Sequence, residues 1–163
     1  MSSPVVTVLG VGNTIMGDDG VGPELLARLA AVRRADARVE YVDGGTQGLE
    51  LLPTVSDAHA LLILDAVAPP ADGSAPGSVV RLAGDQVPRL LAAKLSPHQV
   101  GLLDVLTAAR LLGREPARVE VVGVVPADVD LRVGLSVPVV AALDEAVALA
   151  SEVVDELLAE AGR

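Results

Sequence analysis

Thr7–Gly22 reads TVLGVGNTIMGDDGVG. An apolar run, Val5–Gly10, breaks into a glycine-rich turn at Gly10–Asn13. Two adjacent carboxylates, Asp18 and Asp19, follow, and then Gly20 and Gly22. A short apolar run ending in glycine is the mark of a buried strand. From Val21 onward apolar residues recur at Leu25, Leu26, Leu29 and Ala30, with Glu24 and Arg28 between them. That is helical spacing, and Arg33–Arg34 supply the positive charge that suits a helix C-terminus. Strand, glycine turn, helix is also the outline of a phosphate-binding loop. The spacing argues against one. A dinucleotide fingerprint requires a third glycine where Ile15 stands, and the Gly-Lys-Ser/Thr of a P-loop is absent. A phosphate placed beside Asp18 and Asp19 would meet like charge.

The rest of the chain extends the same alternation. Val39–Val42 reads as a second strand, ending at Asp43-Gly44-Gly45-Thr46, and Ala60–Asp65 (ALLILD) as a third with an acid at its end. A short helix near Gly48–Leu52 is weakened by Pro53. After a Pro/Gly/Ser-rich loop, Pro69–Gly77, comes a short edge strand at Ser78–Leu82. Ser96-Pro97-His98 leads into a helix over Leu102–Leu112, and Val119–Val125 is a further strand. Ser136 is placed to cap a long last helix with Pro138 in its first turn. In that helix Val140, Leu143, Val147, Ala150, Val154 and Leu157 are spaced to face the core. The order β-α-β-α-β-β-α-β-α predicts a mainly parallel sheet covered by helices on both faces. Residues 1–163 read as one domain, without internal repeats or an interdomain linker.

Composition narrows the chemistry. A net charge of −10 and a single aromatic residue, Tyr41, disfavour a nucleic-acid partner. The chain is 51% hydrophobic, but charge interrupts every apolar run, so no membrane span is expected. Met1–Pro4 has none of the basic and apolar character of a signal peptide, and a cytoplasmic location is expected. With no cysteine, thiolate metal sites, iron–sulfur clusters and a cysteine nucleophile are excluded. No G-x-S-x-G elbow presents a nucleophilic serine.

In a parallel sheet functional residues gather at the carboxyl ends of the strands. Asp18, Asp19, Asp43 and Asp65 all fall there. Asp18 is read as a helix cap or loop brace, leaving Asp19 for chemistry, and the bland reading of Asp43 is an Asx turn. Of the two histidines, His59 reads as a solvated loop residue next to Asp57. His98, after Ser-Pro and before a helix, can point at the strand ends. Two acids and an imidazole suit a divalent transition metal with open positions, nickel or zinc in preference to magnesium or calcium.

These pieces together resemble the [NiFe]-hydrogenase maturation proteases. The resemblance rests on Gly10–Asn13 with Asp18–Gly22, on Asp43–Thr46, on the strand ending in Asp65, and on Ser96–Gln99 with Val100–Leu106. Gly123–Pro126 and Gly134–Ser136 add to it. It implies a three-layer α/β/α sandwich with a mixed five-stranded sheet. It implies an aspartyl-type endopeptidase that removes the C-terminal extension of the [NiFe]-hydrogenase large-subunit precursor. It also implies a metal-contact triad of Asp19, Asp65 and His98. Nickel would be supplied by that precursor, with no organic cofactor. Asp43 is the candidate for proton transfer or for gripping the tail, with Gly44, Gly45 and Thr46 beside it as substrate contacts. A monomer forming a transient complex is the default expectation. The alternatives are a nickel-binding maturation chaperone without peptidase activity and, more distantly, a nucleoside- or nucleotide-binding α/β enzyme.

Overall fold

The computed structural model describes residues 4–84, 86–87 and 97–163, the side chains of 97–100 excepted. Its elements follow the expected order. They are β1 (Val6–Val11), α1 (Val21–Val32), β2 (Val39–Gly45), α2 (Leu52–Asp57), β3 (Ala60–Ala66), β4 (Val79–Ala83), α3 (Pro97–Leu111), β5 (Arg118–Val124) and α4 (Val137–Ala161). One five-stranded sheet runs in the order β2-β1-β3-β5-β4. Four strands are parallel, and β4 pairs antiparallel to β5 at the edge.

The topology follows from the handedness of crossovers. The chain steps from β1 outward to β2, then back across β1 to β3. Right-handed connections running in opposite directions leave their helices on opposite faces of the sheet. Accordingly α1 and α4 cover one face, against Val6, Val8, Leu62, Leu64, Val122 and Val124. On the other face Leu51, Val55, Leu102 and Val105, from α2 with its entry turn and from α3, pack against Leu9, Val11, Leu61, Ile63 and Val121. Every residue of β1 and β3 is buried, which explains why both strands read as unbroken apolar runs and not as alternating ones.

Local departures from the sequence reading have physical causes. Pro53 does not interrupt a helix. It sits in the first turn of α2, where its missing N–H is harmless, after a 3-10 turn at Leu49–Leu51. Arg33 leaves the helix in an extended conformation, so its charge does not serve the α1 terminus. Its guanidinium instead reaches α4, donating to the Ser151 carbonyl and hydroxyl and to Asp155. On α4 the buried position is Val139, while Val140 is 52% exposed; the other five expected core positions are buried. Spacing alone does not choose between adjacent valines at a helix start.

Candidate active site at the carboxyl ends of β1 and β3

Neighbouring strands β1 and β3 are those from which the chain departs in opposite directions, and such a switch point opens a crevice at their carboxyl ends. Gly10 pairs with Leu64, so Asp65 lies one residue beyond that pair, beside the end of β1. Alternation with Leu61 and Ile63 turns the Asp65 side chain toward the face covered by α2 and α3. It is fully buried, and its Oδ1 accepts the Ala66 N–H at 2.8 Å.

Asp19 reaches the same end by a different route. After β1 the chain turns through Gly12–Met16 and enters a 3-10 turn, Gly17–Gly20, that leads straight into α1. Asp19 is 1% exposed, and its Oδ2 accepts the Asn13 N–H at 3.0 Å. Two glycines make the approach close enough. A Cβ on Gly12, whose φ is +144°, would lie 1.9 Å from the Asp19 carbonyl oxygen. A Cβ on Gly22 would lie 2.0 Å from the Val11 carbonyl oxygen and 2.5 Å from that of Leu64, so the first turn of α1 rests on the ends of both strands. Gly12→Ala combines overpacking with a left-handed backbone and should cost about 2–5 kcal/mol in urea unfolding, with cleavage activity lost in step.

Asp18 is a brace and not a cap of α1. The residue preceding α1 is Gly20, with no side-chain capping bond. The buried Asp18 carboxylate crosses to residues 127–136. Its Oδ2 accepts the N–H groups of Ala127 (2.8 Å) and Asp128 (3.0 Å) and the Ser136 hydroxyl (2.7 Å), and its Oδ1 accepts the Ser136 N–H (2.7 Å). Ser136 occupies the N-cap position of α4 as expected, but its hydroxyl is given to Asp18 and makes no cap bond. Burial alone would raise the Asp18 carboxyl; the bonds from Ser136, Ala127 and Asp128 outweigh it and hold the group below its ordinary value of 3.8. A carboxyl lowered in the folded state adds stability that is complete above its unfolded value and is lost as pH falls through the folded one. The unfolding free energy should therefore decline below about pH 4, and less steeply in Asp18→Asn, in urea titrations at stepped pH.

β2 runs two residues past Asp43, which lies near its carboxyl end opposite Gly10. Val42 packs toward α2, and a Cβ on Gly44 would meet Leu9, Val11 and Leu51 on that same face. Alternation therefore sends the Asp43 side chain to the other face, where it is exposed. Its Oδ1 accepts the Gly45 N–H at 3.0 Å, the Asx turn expected of an aspartate before two glycines. Gly44 is buried, Gly45 takes a φ of +50°, and Thr46 is exposed. The backbone of His98 lies in the first turn of α3, and its side chain lies outside the described residues, as does Ser96. A Cβ on Gly101, one turn further, would come 3.3 Å from the Cα of Gly48, which brings the start of α3 against the loop that follows β2. His59 is an exposed loop residue. Among the described residues no group of three or more His, Asp or Glu side chains could hold a metal ion.

Sequence reasoning did not single out Asn13 or residues 127–128. Asn13 carries a detectable signal, an asparagine inside a glycine turn; its Oδ1 accepts the Ile15 N–H at 3.1 Å. Nothing in the sequence pairs Asp18 with Ala127, Asp128 or Ser136, which lie more than a hundred residues away, although Ser136 itself stood out as a helix cap.

A doubly wound sheet with two buried carboxylates at its switch point belongs to the α/β/α class that works at strand ends. The hydrogenase maturation protease family model matches residues 23–153. The hydrogenase 2 maturation protease of Escherichia coli K12 is 38% identical over 141 residues, covering 86% of this chain and 85% of its own. The hydrogenase expression/formation protein HupD of Rhodobacter capsulatus is 40% identical over 156 residues, 94% of this chain and 71% of its own. The solved structure of the hydrogenase maturating endopeptidase HybD from E. coli superposes with a TM-score of 0.87 at 36% identity, covering 93% of each chain. The chain belongs to the hydrogenase maturation protease family, and by that membership it is an endopeptidase.

Proposed function

We propose that this endopeptidase removes the C-terminal extension of a [NiFe]-hydrogenase large-subunit precursor after nickel has been inserted, and that it recognises the nickel the precursor carries. The observation that carries the reading is the pair of buried carboxylates, Asp19 and Asp65, at the ends of adjacent strands. A buried acid is costly unless it is hydrogen-bonded, paired or bound to a metal, and a docked metal ion would offset that cost for both. Their oxygens, with the His98 imidazole, would make a donor set without thiolate that suits completion of another protein's nickel coordination. Nickel is thus part of the substrate.

Docking through the metal would bring the scissile bond to the strand ends, so that positioning contributes much of the rate. Asp19 or Asp65 would then take a proton from the attacking water. Asp43, turned to the opposite face, would hold the Gly44–Thr46 turn in shape for the departing tail. Occupancy of the site by a protein substrate is supported by exposed apolar residues beside it. Ile15, Leu131, Val133 and Val137 are 51%, 77%, 81% and 82% exposed, on segments joined by the Ile15–Arg132 and Asp18–Ser136 hydrogen bonds. Such a rim on a strongly acidic chain fits a macromolecular partner. Leu131→Asp with Val133→Asp should raise KM for precursor about tenfold with kcat within twofold, read by steady-state cleavage.

Incubation with nickel-loaded precursor, followed by intact-mass measurement of the large subunit, tests the reading. Loss of a discrete C-terminal segment is expected. An unchanged mass with transfer of nickel to this chain would replace it by a chaperone role.

A further inference from the structure

Asp18 is fully buried and accepts four hydrogen bonds, yet the proposed chemistry makes no use of it. We propose that Asp18 is a positioning residue: by locking the Asn13–Gly20 loop onto residues 127–136, it holds the adjacent Asp19 at the ends of β1 and β3. The inference rests on the reading that Asp19 takes part in cleavage.

The lock is a seam and not a single contact. Beside the carboxylate bonds, the Gly17 N–H donates to the Arg132 carbonyl (2.8 Å) and the Asp18 N–H to that of Asp128 (2.8 Å). The Arg132 N–H returns a bond to the Ile15 carbonyl (2.9 Å). Asp18 and Asp19 are the central residues of the four-residue turn Gly17–Gly20, so fixing one side chain fixes the backbone direction at the next. At its other end the Asp19 carboxylate is held by Asn13, on the same loop. Freed from the seam, loop and carboxylate would move together.

Ser136 separates positioning from ordinary helix capping. A capping serine accepts a hydrogen bond from an N–H of its own helix. Here the hydroxyl makes no cap bond and donates to Asp18. Substituting it therefore perturbs the seam without removing a side-chain cap from α4.

The test measures cleavage of nickel-loaded precursor by Asp18→Asn, Ser136→Ala and Ser136→Thr. Arg81→Met, at the far sheet edge, controls for lost stability. An amide at position 18 presents N–H where donors already converge, so Asp18→Asn should lower kcat about a hundredfold with KM within twofold. Ser136→Ala should lose about tenfold, and Ser136→Thr, which keeps the hydroxyl, should recover to within twofold of wild type. Arg81→Met should keep the wild-type kcat. Normal kcat in Asp18→Asn, equal losses in Ser136→Thr and Ser136→Ala, or an equal loss in Arg81→Met would each overturn the inference. Hydrogen exchange at the Asn13 amide, which donates to Asp19, gives a readout independent of activity. It should speed up at least tenfold in Asp18→Asn, and unchanged exchange overturns the inference even if the precursor is not the substrate. Absence of cleavage by the wild type, with faster Asn13 exchange in the variant, would instead remove the functional reading and leave the positioning intact.

Discussion

Asp65→Asn should slow cleavage of nickel-loaded precursor by about 10²–10⁴-fold while the protein stays folded. The substitution preserves size, and its carbonyl oxygen retains an acceptor for the Ala66 N–H that Asp65 now binds at 2.8 Å. What it removes is charge and basicity on the face covered by α2 and α3, where a metal-borne substrate and its attacking water would need them. Single-turnover cleavage followed by intact mass, paired with thermal unfolding, separates the two effects. A rate within threefold of wild type would take Asp65 out of the site. Asp19→Asn is expected to behave alike, although its contact with Asn13 makes some loss of local order unavoidable.

The second large effect lies away from the chemistry, on β5. Glu120 is 1% exposed, on the face covered by α1 and α4. Its carboxylate is held by Arg81 (Nε to Oε2, 3.1 Å) and Arg118 (Nη2 to Oε1, 2.8 Å). Each arginine continues outward to an acid of α4, Arg81 to Glu156 and Arg118 to Glu160. Glu156 first, then Glu120, hold the Arg81 guanidinium even more firmly protonated than usual. The outer pairs are solvent-exposed and contribute little. The inner carboxylate differs, because stripping it of both cations leaves a charge buried without compensation. Arg81→Met with Arg118→Met should therefore cost about 3–5 kcal/mol in urea unfolding, and each single change clearly less. Adding Glu120→Leu to the double variant should return most of that loss, because it removes the stranded charge. A double variant within about 1 kcal/mol of wild type would show that water reaches Glu120.

Sequence carried the fold well where the signal is local and repeated. Ala60–Asp65 is a fully buried strand because it sits in the middle of the sheet, and the five apolar residues Ala60–Leu64 before Asp65 record that position. The edge placement of Ser78–Leu82 was legible for the converse reason, since β4 is short and only partly buried. Features fixed by distant partners were not legible. Arg33 reads as helix-terminal charge, but α4 supplies a nearby hydroxyl and carboxylate that bind it more strongly than a dipole would. Ser136 reads as a cap, but a buried carboxylate is a better partner for its hydroxyl than a solvated amide. In the candidate site, Asp19 and Asp65 were legible because an acid that ends a buried apolar strand, or follows its glycine turn, is poorly explained by packing. The face on which Asp43 lies follows from alternation with Val42 and Gly44, but its pairing opposite Gly10 was not legible, because strand partner and register leave no mark on composition. The role of Asp18 was visible only as an alternative, helix cap or loop brace, which the bonds from Ala127, Asp128 and Ser136 decide in favour of a brace.

If Asp19, Asp65 and His98 recognise the precursor through its nickel, cleavage requires the metal. The most direct measurement is a paired single-turnover assay on one precursor preparation, half loaded with nickel and half metal-free, with intact mass as the readout. The loaded half should lose its C-terminal extension and the metal-free half should stay whole. Equal cleavage of both halves would contradict that requirement.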